Sequence, residues 1–122
     1  MQAVSESLSV RGESLVSEYL SGRGFEILDR NFRVRGGEID IVARRADLVL
    51  FVEVKTRSSL RMGSGAEAVT TAKLARILRA AKVYQALHAG CGRRFRFDVA
   101  EVLWETGRPP SIRYIENVCR ED

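Results

Sequence analysis

The chain has 122 residues, 45% of them hydrophobic and 30% charged, and a formal net charge of +4. This length supports one domain with a real core and excludes two of ordinary size, while the balance of residue types excludes a disordered or low-complexity polypeptide. The basic excess favours polyanionic partners, and one histidine with two scattered cysteines excludes a four-ligand Cys/His zinc site within one chain.

In chain order, Leu8, Leu15, Val16, Tyr19 and Leu20 recur at helical spacing and predict a helix over 4–21, stopped by Ser21-Gly22-Arg23-Gly24. A strand is expected from Phe25 to Val34, with a turn at Gly36-Gly37. Ile39–Arg44 and Leu48–Lys55 are rich in Val, Ile and Phe, and the few residues between them allow only a tight hairpin. Residues 56–66 lack periodicity and read as a loop. Apolar positions from Glu67 to Ala89 form a second helical stripe, Arg94–Leu103 alternates like a strand, and Ile112–Val118 suggests a final edge strand. The expected architecture is α/β (α+β), a three-layer single domain with a central mixed β-sheet flanked by α-helices.

The longest apolar run, Leu48 to Val52, falls far short of the roughly 20 residues that a membrane helix needs, and no signal-peptide core is present. A cytoplasmic protein with no membrane partner is expected. Cys91 and Cys119 should then be free thiols.

The hairpin carries the chemistry. With a turn centred on Ala46-Asp47, Asp40 lies opposite Glu53 and Glu38 opposite Lys55, at cross-strand Cβ separations of roughly 4.5–5.5 Å. Val42, Val49 and Phe51 share that face, while Ile39, Ile41, Val52 and Val54 take the other, so both faces are apolar and the strands are central. Facing carboxylates at the end of a buried hairpin repel one another unless a proton or a cation compensates. Oxygen ligands favour Mg²⁺ or Mn²⁺, with the Val54 carbonyl as a further donor. Lys55 would orient the attacking water and offset charge building on phosphorus. The ordinary alternative is an ion ladder on a solvated hairpin.

The segments Arg11-Gly12-Glu13, Gly24-Phe25-Glu26-Ile27-Leu28, Arg30-Asn31-Phe32-Arg33, Gly37-Glu38-Ile39-Asp40, Phe51-Val52-Glu53-Val54-Lys55-Thr56-Arg57, Glu67-Ala68-Val69, Lys73 and Arg96-Phe97-Asp98-Val99 together resemble the YraN-like family of small bacterial proteins, over about residues 11–118. That family is similar to the PD-(D/E)xK, restriction-endonuclease-like nucleases and in layout to archaeal Holliday junction resolvases. The resemblance places Asp40, Glu53 and Lys55 at the metal-binding and catalytic positions and Glu13 at the assisting acid of the first helix. Ile39 stands where the superfamily's name-giving proline would be.

The activity so implied is metal-dependent hydrolysis of phosphodiester bonds in structured DNA, branched junctions included, by a homodimer whose two sites make symmetric cuts. The competing reading is a non-catalytic nucleic-acid-binding accessory protein, and RNA stays open as the substrate because phosphate contacts are blind to base identity. Arg35, Arg57, Arg61 and Lys73 are the candidate phosphate contacts, and Glu38 is a supporting acid or a structural ion pair. Asp98 is expected to orient Arg96, His88 to cap or pack a helix end, and Trp104 to lie in a core or interface.

Overall fold

The computed structural model describes residues 7–58 and 70–118. Its elements are α1 (Leu8–Gly22), β1 (Glu26–Val34), β2 (Gly37–Arg45), β3 (Leu48–Arg57), α2 (Thr71–Leu87), β4 (Arg94–Leu103) and β5 (Ser111–Ile115). The strands form one five-stranded sheet in the order β1-β2-β3-β4-β5. Only β3 and β4 run parallel, with α2 as the connection between them.

The Ser7 hydroxyl caps α1 by accepting the Val10 N–H at 3.2 Å. Gly12, Glu13, Val16 and Leu20 form its buried stripe, one turn apart along the helix. Val16 and Leu20 pack with Ile41, Ala43, Leu50, Val52, Ala100 and Val102 on one face of the sheet. Ile77, Ala80, Ala81 and Tyr84 of α2 pack with Ile39, Val42, Val49 and Phe51 on the other. The result is the expected mixed sheet between helices, a three-layer α/β arrangement.

The β2–β3 hairpin has the expected register, from Arg45 opposite Leu48 to Ile41 opposite Val52. Ala46 begins its two-residue turn at φ 53°, as such a turn requires. The assignment of faces needs one correction. Ile39 belongs to the α2 core and Ile41 to the α1 core, although they are two residues apart and should share a face. The pleat turns over between them at Asp40, beside Asn31 of β1, whose φ is 54°.

Other boundaries shift slightly. The first turn falls at Arg35-Gly36, because Gly37 already pairs with Val34. Thr56 and Arg57, expected in a loop, extend β3 through its ladder with β4, and the last strand ends at Ile115. Residues 67–69 at the expected start of the second helix, most of the expected loop, and Cys119 lie outside the described residues. Asp98 orients Arg96 as expected, and it also accepts the Tyr114 hydroxyl at 2.6 Å and the Asn117 N–H at 2.8 Å, which fastens the segment after β5. His88 is the C-cap residue of α2 and stacks on Tyr84, and Trp104 packs against the α1 core under the Arg11 guanidinium.

Gly12 sets how closely α1 approaches the sheet. A Cβ added there would collide with the Thr56 Oγ1. Gly12→Ala should therefore lower stability by about 1–3 kcal/mol through overpacking. Adding Thr56→Ala to the same chain should recover part of that loss, which denaturant melts of the singles and the double would reveal. Strict additivity would mean that this contact does not set the spacing.

Candidate active site

The site forms where β2 and β3 part. Beyond the Ile41–Val52 pair, the Val54 N–H donates to Asp40 Oδ2 at 2.8 Å. The Asp40 side chain thus supplies an acceptor to the neighbouring strand's amide, which fixes its carboxyl at the mouth of the hairpin. Glu53 follows Val49 and Phe51 on the α2 side of β3 and is only 7% exposed. Lys55 Nζ stands 3.7 Å from Glu53 Oε1, and Lys73 Nζ, from the first turn of α2, stands 2.6 Å from the same oxygen.

Glu13 approaches from the other layer. The close α1–β3 contact at Gly12 brings it under the sheet, where Asn31 Nδ2 donates to Glu13 Oε1 at 3.0 Å and Arg30 lies 3.9 Å away. Asn31 tolerates its left-handed backbone better than most residues would, and that conformation accompanies the change of face at Asp40. Glu13 of α1 and Glu53 of β3 thus both bear on the Asp40 carboxyl of β2.

The electrostatics follow from this crowding. The Asp40 carboxyl is pushed up to about 7, first by burial, then by the neighbouring Glu53 charge and to a lesser degree by Glu13 and a hydrogen bond between the Asp40 and Glu53 carboxyls. The Val54 amide opposes this without reversing it. Lys55 is lowered below the usual lysine range by burial and by the adjacent Lys73 ammonium. Burial acts on Lys73 in the same direction, but its hydrogen bonds to Glu53 and Lys55 prevail and raise it. Of the two amines, Lys55 is the one that gives up its proton more readily.

Asp40 and Glu53 suit a hard divalent cation in donor type and in their proximity. Among the described residues no three Asp, Glu, His or Cys side chains gather closely enough to enclose an ion. A cation would therefore rest on these two carboxylates and draw most of its remaining ligands from water, as Mg²⁺ commonly does. Val54 reaches the cluster through its N–H, which is engaged with Asp40.

The other candidates lie around this centre in different ways. Glu38 pairs with Arg33 at 3.5 Å rather than with Lys55, and lines a cavity of about 20 Å³ with Glu53, Lys73, Arg76 and Ile77. Arg35 is exposed on the β1–β2 turn, and its carbonyl accepts from Arg79 Nε at 2.6 Å. Arg57 is turned inward, its side chain 12% exposed and its Nε 3.6 Å from Glu101 of β4. Arg61 lies outside the described residues.

Asn31 escaped the sequence analysis as a participant, and Lys73 entered it only as a phosphate contact. Asn31 had a signal in its position within a strand-like run, since asparagine favours positive φ. Lys73 had one in standing at the third helical position after Thr70, where an acidic or amide side chain is the common choice.

A three-layer α/β protein with an acid–lysine cluster at one end of its sheet is the class that these features define. The chain belongs to the family described as "Uncharacterised protein family UPF0102", the YraN-like proteins, whose model matches residues 12–102. Similar relatives include the UPF0102 proteins of Geobacter metallireducens, 44% identical over 96% of this chain and 95% of its own length, and Nocardia farcinica, 43% identical over 93% and 89%. That of Clavibacter michiganensis is 40% identical over 93% of this chain and 97% of its own length. Among the described residues no helix is long and apolar enough to cross a membrane.

Proposed function

We propose that this protein is a Mg²⁺- or Mn²⁺-dependent endonuclease of the restriction-endonuclease-like class, hydrolysing phosphodiester bonds of structured DNA, including branched junctions, as a cytoplasmic homodimer. The observation that carries the reading is the meeting of Asp40, Glu53 and Lys55 at the splayed end of a buried hairpin, where the Asp40 carboxyl is held up near 7. Two desolvated carboxyl groups beside one another cost stability in the absence of a compensating cation, and such conflicts concentrate at functional sites.

In this reading Asp40 and Glu53 hold the cation, with the Val54 carbonyl as a further donor. The bound cation supplies Lewis-acid polarisation of the phosphate and activation of water. Lys55 orients the attacking water, exchanges a proton with it more easily than an ordinary lysine would, and faces the charge that develops on the phosphate oxygens. Glu13 acts through Asp40, adding negative potential from the α1 side. Arg35 contacts a neighbouring phosphate, a role proposed also for Arg57 and Arg61 and for Lys73 once it leaves Glu53, and Glu38 steadies the rim through Arg33.

The test is incubation of purified protein with labelled single-stranded, duplex, flap and four-way-junction DNA, and with RNA counterparts, in Mg²⁺, Mn²⁺ or chelator. Cutting that needs metal and favours the branched substrates is the expected result. Binding without cutting in any metal would instead assign an accessory role. Cutting confined to RNA would move the substrate class.

A further inference from the structure

Glu53 has two ammonium neighbours, and they are not equivalent. Lys73 Nζ lies 2.6 Å from Oε1, a full charge-assisted hydrogen bond, whereas Lys55 Nζ lies 3.7 Å away, beyond hydrogen-bond length. The Glu53 side chain is 8% exposed and that of Lys73 31%. The carboxylate is thus fixed in the protein while its partner reaches it from the water-facing side.

Lys73 is also misplaced by the rules of its own helix. Thr70 caps α2 by accepting the Lys73 N–H at 3.2 Å, which puts Lys73 in the first turn, and that turn contains no acidic residue. The helix dipole makes this end positive and favours acids there. A lysine at this position works against its helix, and violations of local preference are expected where function requires them.

On the metal-site reading above, we propose that Lys73 is a built-in counter-ion, whose ammonium stands on Glu53 in the metal-free protein and competes with the divalent cation for that carboxylate. The site then avoids the cost of uncompensated carboxylates when empty, and its affinity for metal is set by how readily Lys73 yields. The α2 helix dipole disfavours the ammonium at this end of the helix and so works toward its displacement by the cation.

Direct titration with Mn²⁺, followed by the electron paramagnetic resonance signal of the free ion, tests this without reference to cleavage. Lys73→Met should bind Mn²⁺ about tenfold more tightly than wild type, the equivalent of one lost charge-assisted contact. Lys73→Arg, which keeps the charge, should stay close to wild type. Lys55→Met should gain less than Lys73→Met, because its contact is longer. Circular dichroism checks that each variant is folded, and Lys73→Gln provides a second neutral variant should Lys73→Met fail to fold. Affinity unchanged or weakened in the folded neutral variants, or equal gains at Lys55 and Lys73, would overturn the counter-ion role alone. Wild type and variants that all fail to bind Mn²⁺ would overturn the metal-site reading with it.

Discussion

Lys55→Ala should reduce single-turnover cleavage by about a hundredfold or more while leaving affinity for nucleic acid within a few-fold of wild type. The expectation rests on position and on proton chemistry. Lys55 shares the strand with Glu53, and its Nζ lies 3.7 Å from that carboxylate, so it belongs to the centre and not to the surrounding surface. An ammonium there gains most when charge builds on the phosphate oxygens, an interaction stronger in the transition state than in the ground state. Its loss therefore falls on rate, and the salt dependence of binding should keep its slope, since no bound phosphate contact has been removed. Lys55→Arg separates charge from proton transfer, because arginine keeps its charge but cannot give up a proton. Recovery of the rate in that variant would leave only the electrostatic part of the role. Unchanged cleavage by Lys55→Ala would remove the nuclease assignment and favour the accessory one.

The centre of the site was legible because strand geometry is short-ranged. Two runs of Val, Ile and Phe joined by a tight turn centred on Ala46-Asp47 set the register from Arg45–Leu48 to Ile41–Val52, and Asp40 and Glu53 follow at its open end. What the pattern could not reveal was the turnover of the pleat at Asp40. An alternation rule assumes a uniform strand, and Ile39 follows the α2 core while Ile41 follows the α1 core, beside a left-handed asparagine on the adjacent strand. The Asn31 side chain meets its partner in α1, Glu13, a tertiary contact that neighbours in sequence do not reveal.

Arg57 illustrates the same limit. From the sequence it follows the Glu53–Lys55 strand and reads as a phosphate clamp beyond its end. In the fold β3 continues to Arg57 because β4 runs parallel beside it, and the side chain meets the buried Glu101 of that strand. Any loss of affinity in Arg57→Ala would be mixed with the effect of leaving a buried carboxylate without its ion pair. Lys73 departs in the opposite direction: the sequence offers it as an outlying phosphate contact, and α2 delivers it to the carboxylate itself.

In metal-free buffer, the stability of wild type should fall as pH rises from about 4 to about 8, and Asp40→Asn should flatten that dependence. The Asp40 carboxyl titrates near 3.8 when unfolded and about 7 when folded, with burial as the main cause and Glu53 as the second. The native state therefore keeps a proton that the unfolded chain has already lost, and the stabilisation, complete below the unfolded value, disappears as pH passes the folded one. The full separation would be worth about 4 kcal/mol. Partial solvent exposure and the nearby lysines reduce this to about 1–2 kcal/mol. Asparagine keeps an oxygen that can accept the Val54 N–H while removing the charge, so the variant should be as stable as wild type, or slightly more so, above pH 7 without metal. Mn²⁺ should reverse the order there. It can bind wild type well only once Asp40 has lost its proton, so the metal-induced rise in melting temperature should shrink as pH falls below about 7, whereas Asp40→Asn should gain little at any pH. Denaturant and thermal melts of both proteins across this range, with Mn²⁺ and with chelator, decide the matter. A flat wild-type profile would show that Asp40 is not held protonated, and an equal gain from metal in the variant would show that it is not a ligand.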